Sequence, residues 1–213
     1  GSALASLLIH TWPRLKLPFE VVRDYYLPEY VGPQTLVIVA SYSGNTEETL
    51  SALEQAITKK AQIAVIAGGG KLEVAAREGG YLFGVLPKVV QPRYAVLSCY
   101  KLLLDVLTQC GVLDTSYQKE LEEVSQKINI AVKSWVPTVK TSDNLAKQIA
   151  LESLGKSIVI YSGSKMWPVA YKWKISYNEN AKQVAWAGQY PEFNHNEFIG
   201  WSKQPVDKPY LVI

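Results

Sequence analysis

Short apolar runs alternate with segments of helical spacing in the first half of the chain. Apolar residues recur at helical spacing after Thr46, after the glycine turn at 68–70, and throughout residues 94–110. This alternation predicts a doubly wound parallel α/β sheet, and the second and third runs are apolar enough to be strands buried on both faces. The runs that we predict to be strands are residues 19–22, 36–40, 63–67 and 81–86.

A polar and charged stretch separates this pattern from a second one. Residues 111–143 predict an amphipathic helix followed by a break at Pro137, which is typical of a linker. We therefore expect a first domain at 1–115, a linker helix region at 116–143 and a second domain at 144–213. Because the chain stops where a further strand opens, we expect the second domain to be incomplete. Its predicted elements are helices at 144–154 and 165–177 and strands at 158–161, 183–187 and from 211 onward.

The composition excludes several classes of protein. The chain has 213 residues, of which 48% are apolar and 19% charged, so the sequence predicts a sizeable core and not a disordered chain. No apolar run approaches the roughly twenty residues that a membrane helix needs. Lys plus Arg (22) nearly balance Asp plus Glu (19), for a net charge of +3. This balance argues against nucleic-acid binding and favours a small or neutral partner.

Cysteine and histidine are too few to suggest metal or disulfide chemistry. Cys99 and Cys110 fall in one predicted helix, about 16 Å apart along its axis, and cannot form a disulfide with each other. Because the start of the chain also lacks a basic leader, we expect a cytoplasmic location. The only histidines are His10, which we expect to be packed within a helix, and His195. We therefore expect no metal site of Cys and His ligands, and an all-carboxylate magnesium site, which stays open, has no motif in this sequence.

The segment S-Y-S-G-N-T, from Ser41 to Thr46, carries the strongest chemical pattern. A buried strand ends there, Gly44 permits a tight turn and a helix begins at once, so backbone N–H groups and the positive end of the helix dipole face outward. Ser41, Ser43 and Thr46 add hydroxyl groups, which predicts a phosphate site that needs no magnesium. Neither a P-loop lysine nor a G-x-G-x-x-G pattern is present.

The same segment also admits a purely structural interpretation. Ser43 or Asn45 could cap the following helix, with Glu47 and Glu48 in its first turn complementing the dipole. Three hydroxyl-bearing residues so close together favour the phosphate site over this alternative.

The motif S-Y-S-G-N-T-E-E-T at 41–49 resembles the signature of sugar isomerase (SIS) domains. Two later runs, N-E-N-A-K at 178–182 and P-E-F-N-H-N-E-F-I-G-W at 191–201, resemble the bifunctional phosphoglucose/phosphomannose isomerase family of archaea and some bacteria. The resemblance covers most of the chain. It implies two SIS-type doubly wound domains, each a parallel sheet flanked by helices, in a homodimeric enzyme that acts on a phosphosugar without a cofactor.

The resemblance also implies roles for individual residues. Glu179 would shuttle a proton between C2 and C1 of the substrate, as a partly buried carboxylate can. His195, contributed by the neighbouring subunit, would open the sugar ring, and Arg93 would stabilise the negative charge of the enediolate. Gly1 and Ser2 match a glycine-serine turn beneath the substrate, where Ser2 would add a contact to the phosphate or to a hydroxyl group.

Each assignment has a simpler alternative from the residues alone. Glu179 could be a solvated residue at a helix end, His195 a helix cap or a residue of a buried turn, and Arg93 part of an ion pair between domains. The run Tyr161-Ser162-Gly163-Ser164 superficially repeats the first motif. It lacks the threonine and the acidic pair of that motif, so we expect a structural turn.

The resemblance therefore implies an aldose–ketose isomerase that interconverts glucose 6-phosphate, and also mannose 6-phosphate, with fructose 6-phosphate. Two alternatives stay open: a non-catalytic SIS module that binds phosphosugars, and an isomerase of amino-sugar phosphates. The resemblance further implies a catalytic lysine in a region beyond Ile213.

Overall fold

The structure is a computed structural model that describes residues 2–13, 15–203 and 209–213. The chain divides into two compact units, residues 1–121 and 122–213. Each unit contains a three-stranded parallel sheet with helices, so the predicted α/β class of fold is confirmed. None of the helices in the described residues is both long and apolar enough to cross a lipid bilayer.

The first unit alternates strands and helices in the predicted order. Its elements are α1 (Ser2–Leu8), β1 (Leu36–Ser41), α2 (Glu47–Thr58), β2 (Gln62–Ala67), α3 (Gly70–Glu78), β3 (Leu82–Val85) and α4 (Val96–Gln109), and α5 (Ser116–Ala131) begins within it. β2 is the central strand, where Val65 pairs with Val39 of β1 and with Phe83 of β3. All three strands therefore end at the same edge of the sheet.

Both faces of β2 are buried, which explains its apolar sequence. Ala64 and Ile66 belong to the core cluster formed with α1 and α4, and Val65 and Ala67 to the cluster formed with α2 and α3. All four side chains are fully buried. A helix layer on each face is the arrangement that parallel sheets require.

One predicted strand is wrong. Residues 19–22 form an irregular segment, because Glu20 interrupts the apolar run and the segment contributes to the core through single side chains. Phe19 is half-buried against the cluster around α4. His10 also departs from the prediction, since it follows the end of α1 and is exposed, with its ring edge-on to that of Phe19 at 5.7 Å.

The second unit is built around a second parallel sheet. Its elements are α6 (Leu145–Ser153), β4 (Ser157–Gly163), α7 (Trp167–Ser176), β5 (Ala185–Tyr190), α8 (Glu192–His195), α9 (Glu197–Trp201) and β6 (Tyr210–Val212). β4 is central, and its fully buried Ile158 pairs with Ala185 of β5 and Leu211 of β6. α7 continues directly into a π-helical segment, Tyr177–Ala181.

Two expectations for the second unit need correction. The strand predicted at 183–187 runs instead over Ala185–Tyr190, and residues 161–163, expected to be a turn, form the end of β4. Strand pairing is the reason, because these residues lie in register with residues 188–190 of β5. The chain leaves the sheet only at the 3-10 turn Ser164–Met166.

Candidate functional site

The loop between β1 and α2 requires a glycine at position 44. Gly44 has a φ of 68°, in the left-handed region that favours glycine. A Cβ atom on Gly44 would lie 1.7 Å from the carbonyl oxygen of Gly69, because the loop packs directly on the turn before α3. The carbonyl oxygen of Gly44 in turn accepts a hydrogen bond from the N–H of Leu72 at 3.0 Å. Both conformation and close packing therefore require this glycine.

Three hydroxyl groups meet in this loop. The Oγ of Ser41 lies 2.7 Å from Oγ1 of Thr46 and 3.5 Å from Oγ of Ser43, and it accepts a hydrogen bond from the N–H of Gly44 at 3.3 Å. Ser41 is buried, whereas Ser43 and Thr46 are exposed. Ser41 thus supports the loop from inside, and the residues that bear the other two hydroxyls remain accessible to a ligand.

The start of α2 is not capped by a side chain. Thr46 is its N-cap residue, yet no side-chain hydrogen bond caps the helix there. Asn45 serves the neighbouring helix instead, because its Oδ1 accepts a hydrogen bond from the N–H of Lys71 in the first turn of α3 at 3.0 Å. The interpretation of Ser43 or Asn45 as the cap of α2 is therefore wrong. The first N–H groups of α2 can donate to an anion.

Two carboxylates occupy the first turn of α2. Glu47 and Glu48 complement the helix dipole there, as expected. The hydroxyl of Tyr25 donates to Oε2 of Glu47 at 3.4 Å. The negative charge of Glu48, followed by burial and by Glu47, raises the pKa of Tyr25, so this phenol remains a donor at neutral pH.

Tyr42, inside the same motif, connects the loop to the segment that carries Arg93. Its hydroxyl accepts a hydrogen bond from the N–H of Val89 at 2.9 Å and can donate to the carbonyl oxygen of Pro87 or Val89, each 3.4 Å away. This segment leads from the end of β3 into the 3-10 turn Pro92–Tyr94, where Arg93 is half-buried with its guanidinium 5.7 Å from the neighbouring tyrosine ring. We call the loop from Ser41 to Thr46 the hydroxyl loop. Because β1 and β3 are parallel, the hydroxyl loop and Arg93 both follow strands that end at the same edge of the sheet.

Glu179 lies in the π-helical segment and is half-buried. The Nζ of Lys182 donates to the carbonyl oxygen of Glu179 at 2.7 Å, and Lys182, with a φ of 56°, ends the segment. Asn178 accepts a hydrogen bond from the N–H of Ala185 at 3.1 Å, which ties the segment to the start of β5. π-Helical turns are rare and occur frequently at functional sites, which agrees with the choice of Glu179 as a candidate.

Two further contacts fix this segment to the second unit. The hydroxyl of Tyr177 lies 2.8 Å from Oγ of Ser153 at the end of α6. The side-chain amide of Gln183 donates to the carbonyl oxygen of Lys156 at 2.6 Å. The helical turn around Glu179 is therefore fixed at both ends.

His195 is the last residue of α8 and is exposed. The Oδ1 of Asn196 accepts a hydrogen bond from the N–H of Glu197 at 2.6 Å, so Asn196 caps the start of α9. Phe193 is buried, with its ring 4.5 Å from that of Tyr161. The segment around His195 is thus largely helical. Packing fixes its backbone while His195 itself remains accessible.

The predicted site residues fall into two groups. The first unit carries the hydroxyl loop and Arg93, and the second carries Glu179 and His195. Gly1 lies outside the described residues, and Ser2 begins α1 with its side chain outside them. Across the parts of the chain that the structure describes, no group of three or more His, Cys, Asp or Glu residues could hold a metal ion.

Comparisons with known proteins place this architecture in a class. The C-terminal domain of glucosamine-fructose-6-phosphate aminotransferase from Francisella tularensis superposes with a TM-score of 0.70 at 18% identity, over 93% of this chain and 58% of that one. Residues 142–213 match the family model of the bacterial phospho-glucose isomerase C-terminal SIS domain. The parallel sheets flanked by helices therefore have the fold of SIS domains.

Comparison with curated proteins shows which proteins with this fold the chain resembles in sequence. A bifunctional phosphoglucose/phosphomannose isomerase from Caldicellulosiruptor bescii is 37% identical over 203 residues, which are 94% of this chain and 60% of the relative. The same description recurs at 30–35% identity, so this chain is similar over most of its length to bifunctional phosphoglucose/phosphomannose isomerases. D-glucosamine-6-phosphate 4-epimerase from Sulfolobus acidocaldarius is 32% identical over 89% of this chain and 58% of its own length. The chain thus spans about 60% of the length of the curated relatives it matches.

Proposed function

We propose that this chain carries the phosphate-binding and proton-transfer groups of an isomerase that interconverts glucose 6-phosphate, and also mannose 6-phosphate, with fructose 6-phosphate. The observation that carries the proposal is the cluster of three hydroxyls at the uncapped start of α2. The activity named for the relative with 37% identity supports the choice of substrates.

The phosphate group binds at the loop before α2. The hydroxyls of Ser43 and Thr46 and the first N–H groups of α2 donate to its oxygens, and Ser41 supports Thr46 from inside at 2.7 Å. The positive end of the helix dipole adds attraction for the anion. Binding of this kind employs neither a metal ion nor a cofactor.

Ring opening and proton transfer take place at the residues of the second unit and at Arg93. His195 gives a proton to the ring oxygen as the bond between C1 and that oxygen breaks, and it takes up the proton that the O1 hydroxyl releases, which yields the open-chain aldehyde. Glu179 then removes the proton from C2, and the electron pair forms the C1–C2 double bond of a cis-enediolate. The same carboxyl group returns the proton to C1, while the proton of the O2 hydroxyl passes to O1, so that the carbonyl forms at C2. Arg93 stabilises the negative charge on the enediolate oxygen.

The exposure of His195 supports an active site shared between two subunits. Phe198 and Ile199, close to it in sequence, are 61% and 68% exposed, and a second subunit would cover such apolar side chains. We therefore propose a homodimer in which each His195 serves the other subunit's site. Free thiols at Cys99 and Cys110 fit a reducing cytoplasmic location. No nucleic acid or membrane takes part in this scheme.

A coupled assay on the whole protein tests the proposal, with fructose 6-phosphate formation followed from glucose 6-phosphate and from mannose 6-phosphate. Glu179→Gln is expected to lower turnover by roughly 10²- to 10⁴-fold, because no base removes the C2 proton. Isothermal titration should still detect phosphosugar binding. Glu123→Gln, at an exposed position of α5, is the matched control and should keep full turnover. Undiminished turnover in Glu179→Gln would overturn the assignment.

Amino-sugar phosphate chemistry is the second candidate, and the similarity to a D-glucosamine-6-phosphate 4-epimerase favours it. Such an enzyme would share the phosphate loop but act on glucosamine 6-phosphate. NMR spectra of the protein incubated with glucosamine 6-phosphate or glucose 6-phosphate separate the two activities. Binding of both sugars without turnover of either would instead indicate a non-catalytic phosphosugar-binding module.

A further inference from the structure

One tyrosine of the central strand β4 joins both ends of α9. The O–H of Tyr161 donates a hydrogen bond to Oε2 of Glu197 at 2.6 Å, and the Nε1–H of Trp201 donates to the hydroxyl oxygen of Tyr161 at 3.0 Å. Glu197 is the first residue of α9 and Trp201 the last. A single phenol therefore fixes the helix to the sheet at both ends.

The ring of Tyr161 also contacts the helix that precedes α9. Phe193 of α8 is buried, with its ring 4.5 Å from that of Tyr161 in edge-to-face geometry. His195 lies between Phe193 and Glu197 in the sequence. Tyr161 thus contacts residues on both sides of His195.

The neighbouring strand leaves room for this arrangement. Gly188 of β5 pairs with Tyr161 in the register of the sheet. A Cβ atom at Gly188 would lie 2.6 Å from Cε1 of Tyr161 and 3.3 Å from Oε1 of Glu197. The glycine therefore allows the phenol ring to lie close against β5 and reach Glu197.

The two helices around His195 depend on such contacts. α8 spans four residues and α9 five, well below the roughly 12 to 15 residues that make an isolated helix stable. Burial, together with the hydrogen bond to Glu197, raises the pKa of Tyr161 to about 12. The phenol therefore stays protonated near neutral pH and keeps donating to Glu197.

We propose that Tyr161 is a positioning residue for His195: its hydrogen bonds to Glu197 and Trp201 and its contact with Phe193 set the place of the imidazole that opens the sugar ring. This inference rests on the proposed function of His195. It also gives a role to the Tyr161-Ser162-Gly163 run, which stands out in the sequence but takes no part in the isomerase chemistry.

Tyr161→Phe, made in the whole protein, removes the hydroxyl and keeps the ring. NMR exchange between the two anomers of glucose 6-phosphate measures ring opening alone, since the anomers interconvert through the open chain. We expect the variant to lower both anomer exchange and kcat by about 10- to 100-fold, as small displacements of a catalytic group do, with little change in KM. Its affinity for 5-phospho-D-arabinonate, a linear analogue without a ring to open, should equal that of the wild type.

Tyr190→Phe is the matched control. It removes a hydroxyl from the same aromatic cluster, 5.9 Å from Tyr161 between ring centroids, and that hydroxyl makes no hydrogen bond among the described residues. Trp201→Phe removes the second hydrogen bond of the network and should lower anomer exchange in the same direction, which keeps the inference testable if Tyr161→Phe fails to fold.

The outcomes separate this inference from the proposed function. Anomer exchange in Tyr161→Phe and Trp201→Phe that equals the wild type would overturn the positioning role, and so would an equal loss of exchange and of analogue binding. A wild-type protein that neither isomerises nor anomerises glucose 6-phosphate would overturn the proposed function instead.

Discussion

The hydroxyl of Tyr42 accepts a 2.9 Å hydrogen bond from the backbone N–H of Val89. Tyr42 stands between Ser41 and Ser43 of the hydroxyl loop, and Val89 lies in the segment that leads to Arg93. The groups proposed to bind the phosphate and to stabilise the enediolate are therefore connected through one side chain of the first unit.

Loss of the Tyr42 hydroxyl should weaken this connection. Tyr42→Phe is expected to lower the free energy of unfolding by about 1 kcal/mol, because the N–H of Val89 loses its partner, and to lower kcat/KM for glucose 6-phosphate. Tyr26→Phe, at a position that is 76% exposed, is the control. Urea unfolding and steady-state kinetics provide the two measurements. Reduced stability with unchanged kcat/KM would show that the connection is structural only.

Ser41 and Ser43 should respond differently to the same substitution. Ser41→Ala removes a buried hydroxyl that contacts Thr46 and Gly44, so we expect a loss of about 1 to 2 kcal/mol in unfolding free energy as well as weaker phosphate binding. Ser43→Ala, at an exposed position, should weaken phosphate binding alone. Thermal unfolding with and without inorganic phosphate measures both effects. Full stabilisation of Ser43→Ala by phosphate would contradict the binding role.

Two glycines with similar φ angles should differ in their tolerance of alanine. Gly44→Ala is expected to cost about 3 kcal/mol or more, because its Cβ would lie 1.7 Å from the carbonyl oxygen of Gly69. Gly80, with a φ of 64° and no atom within 4 Å of its Cβ position, should lose only about 1 kcal/mol. Denaturant unfolding compares them. Equal costs would mean that the close approach to Gly69 imposes no constraint.

The two free thiols should differ in reactivity. Burial raises the pKa of Cys99 to about 11, whereas Cys110 is exposed. Iodoacetamide at mildly alkaline pH should label Cys110 rapidly and Cys99 only on unfolding, since the thiolate is the reactive form. Peptide mass spectrometry measures both rates, and equal labelling in the folded protein would contradict the expectation.

The same pKa shift makes the stability of the fold depend on pH. The thiol of Cys99 releases its proton less readily in the folded state than in the unfolded chain. The free energy of unfolding should therefore fall as pH rises from about 9 towards about 11. Denaturant unfolding across this range, compared with Cys99→Ala, isolates the contribution, which should be absent in the variant.

Predictions that rest on local pattern agree with the structure. The apolar run of β2 contributes residues to two core clusters, one on each face of the sheet. For this reason apolar and polar residues do not alternate along this strand. The loop from Ser41 to Thr46 forms as expected because its glycine and its hydroxyl groups act on backbone only a few residues away. Strand and helix order in both units results from such short-range signals.

Contacts between residues distant in sequence escape these patterns. Tyr42 and Val89 are 47 positions apart in the sequence, and Tyr161 and Glu197 are 36 apart. The residues next to each tyrosine in the sequence do not indicate which partner its hydroxyl contacts. The failed strand at 19–22 has a related origin. An apolar run becomes a strand only when it pairs with another strand, and that partner is not encoded in the run itself.

Glu179 lies in the π-helical segment Tyr177–Ala181, so the direction of its side chain depends on the number of residues in that turn. Removal of one residue before Glu179 in this segment would return it to the α-helical repeat and change the direction of the Glu179 side chain about the helix axis. A deletion of one codon would therefore redirect the carboxylate that we propose to move the C2 proton, while the other residues of the motif stay the same. In this fold, the spacing of residues carries as much chemical meaning as their identity.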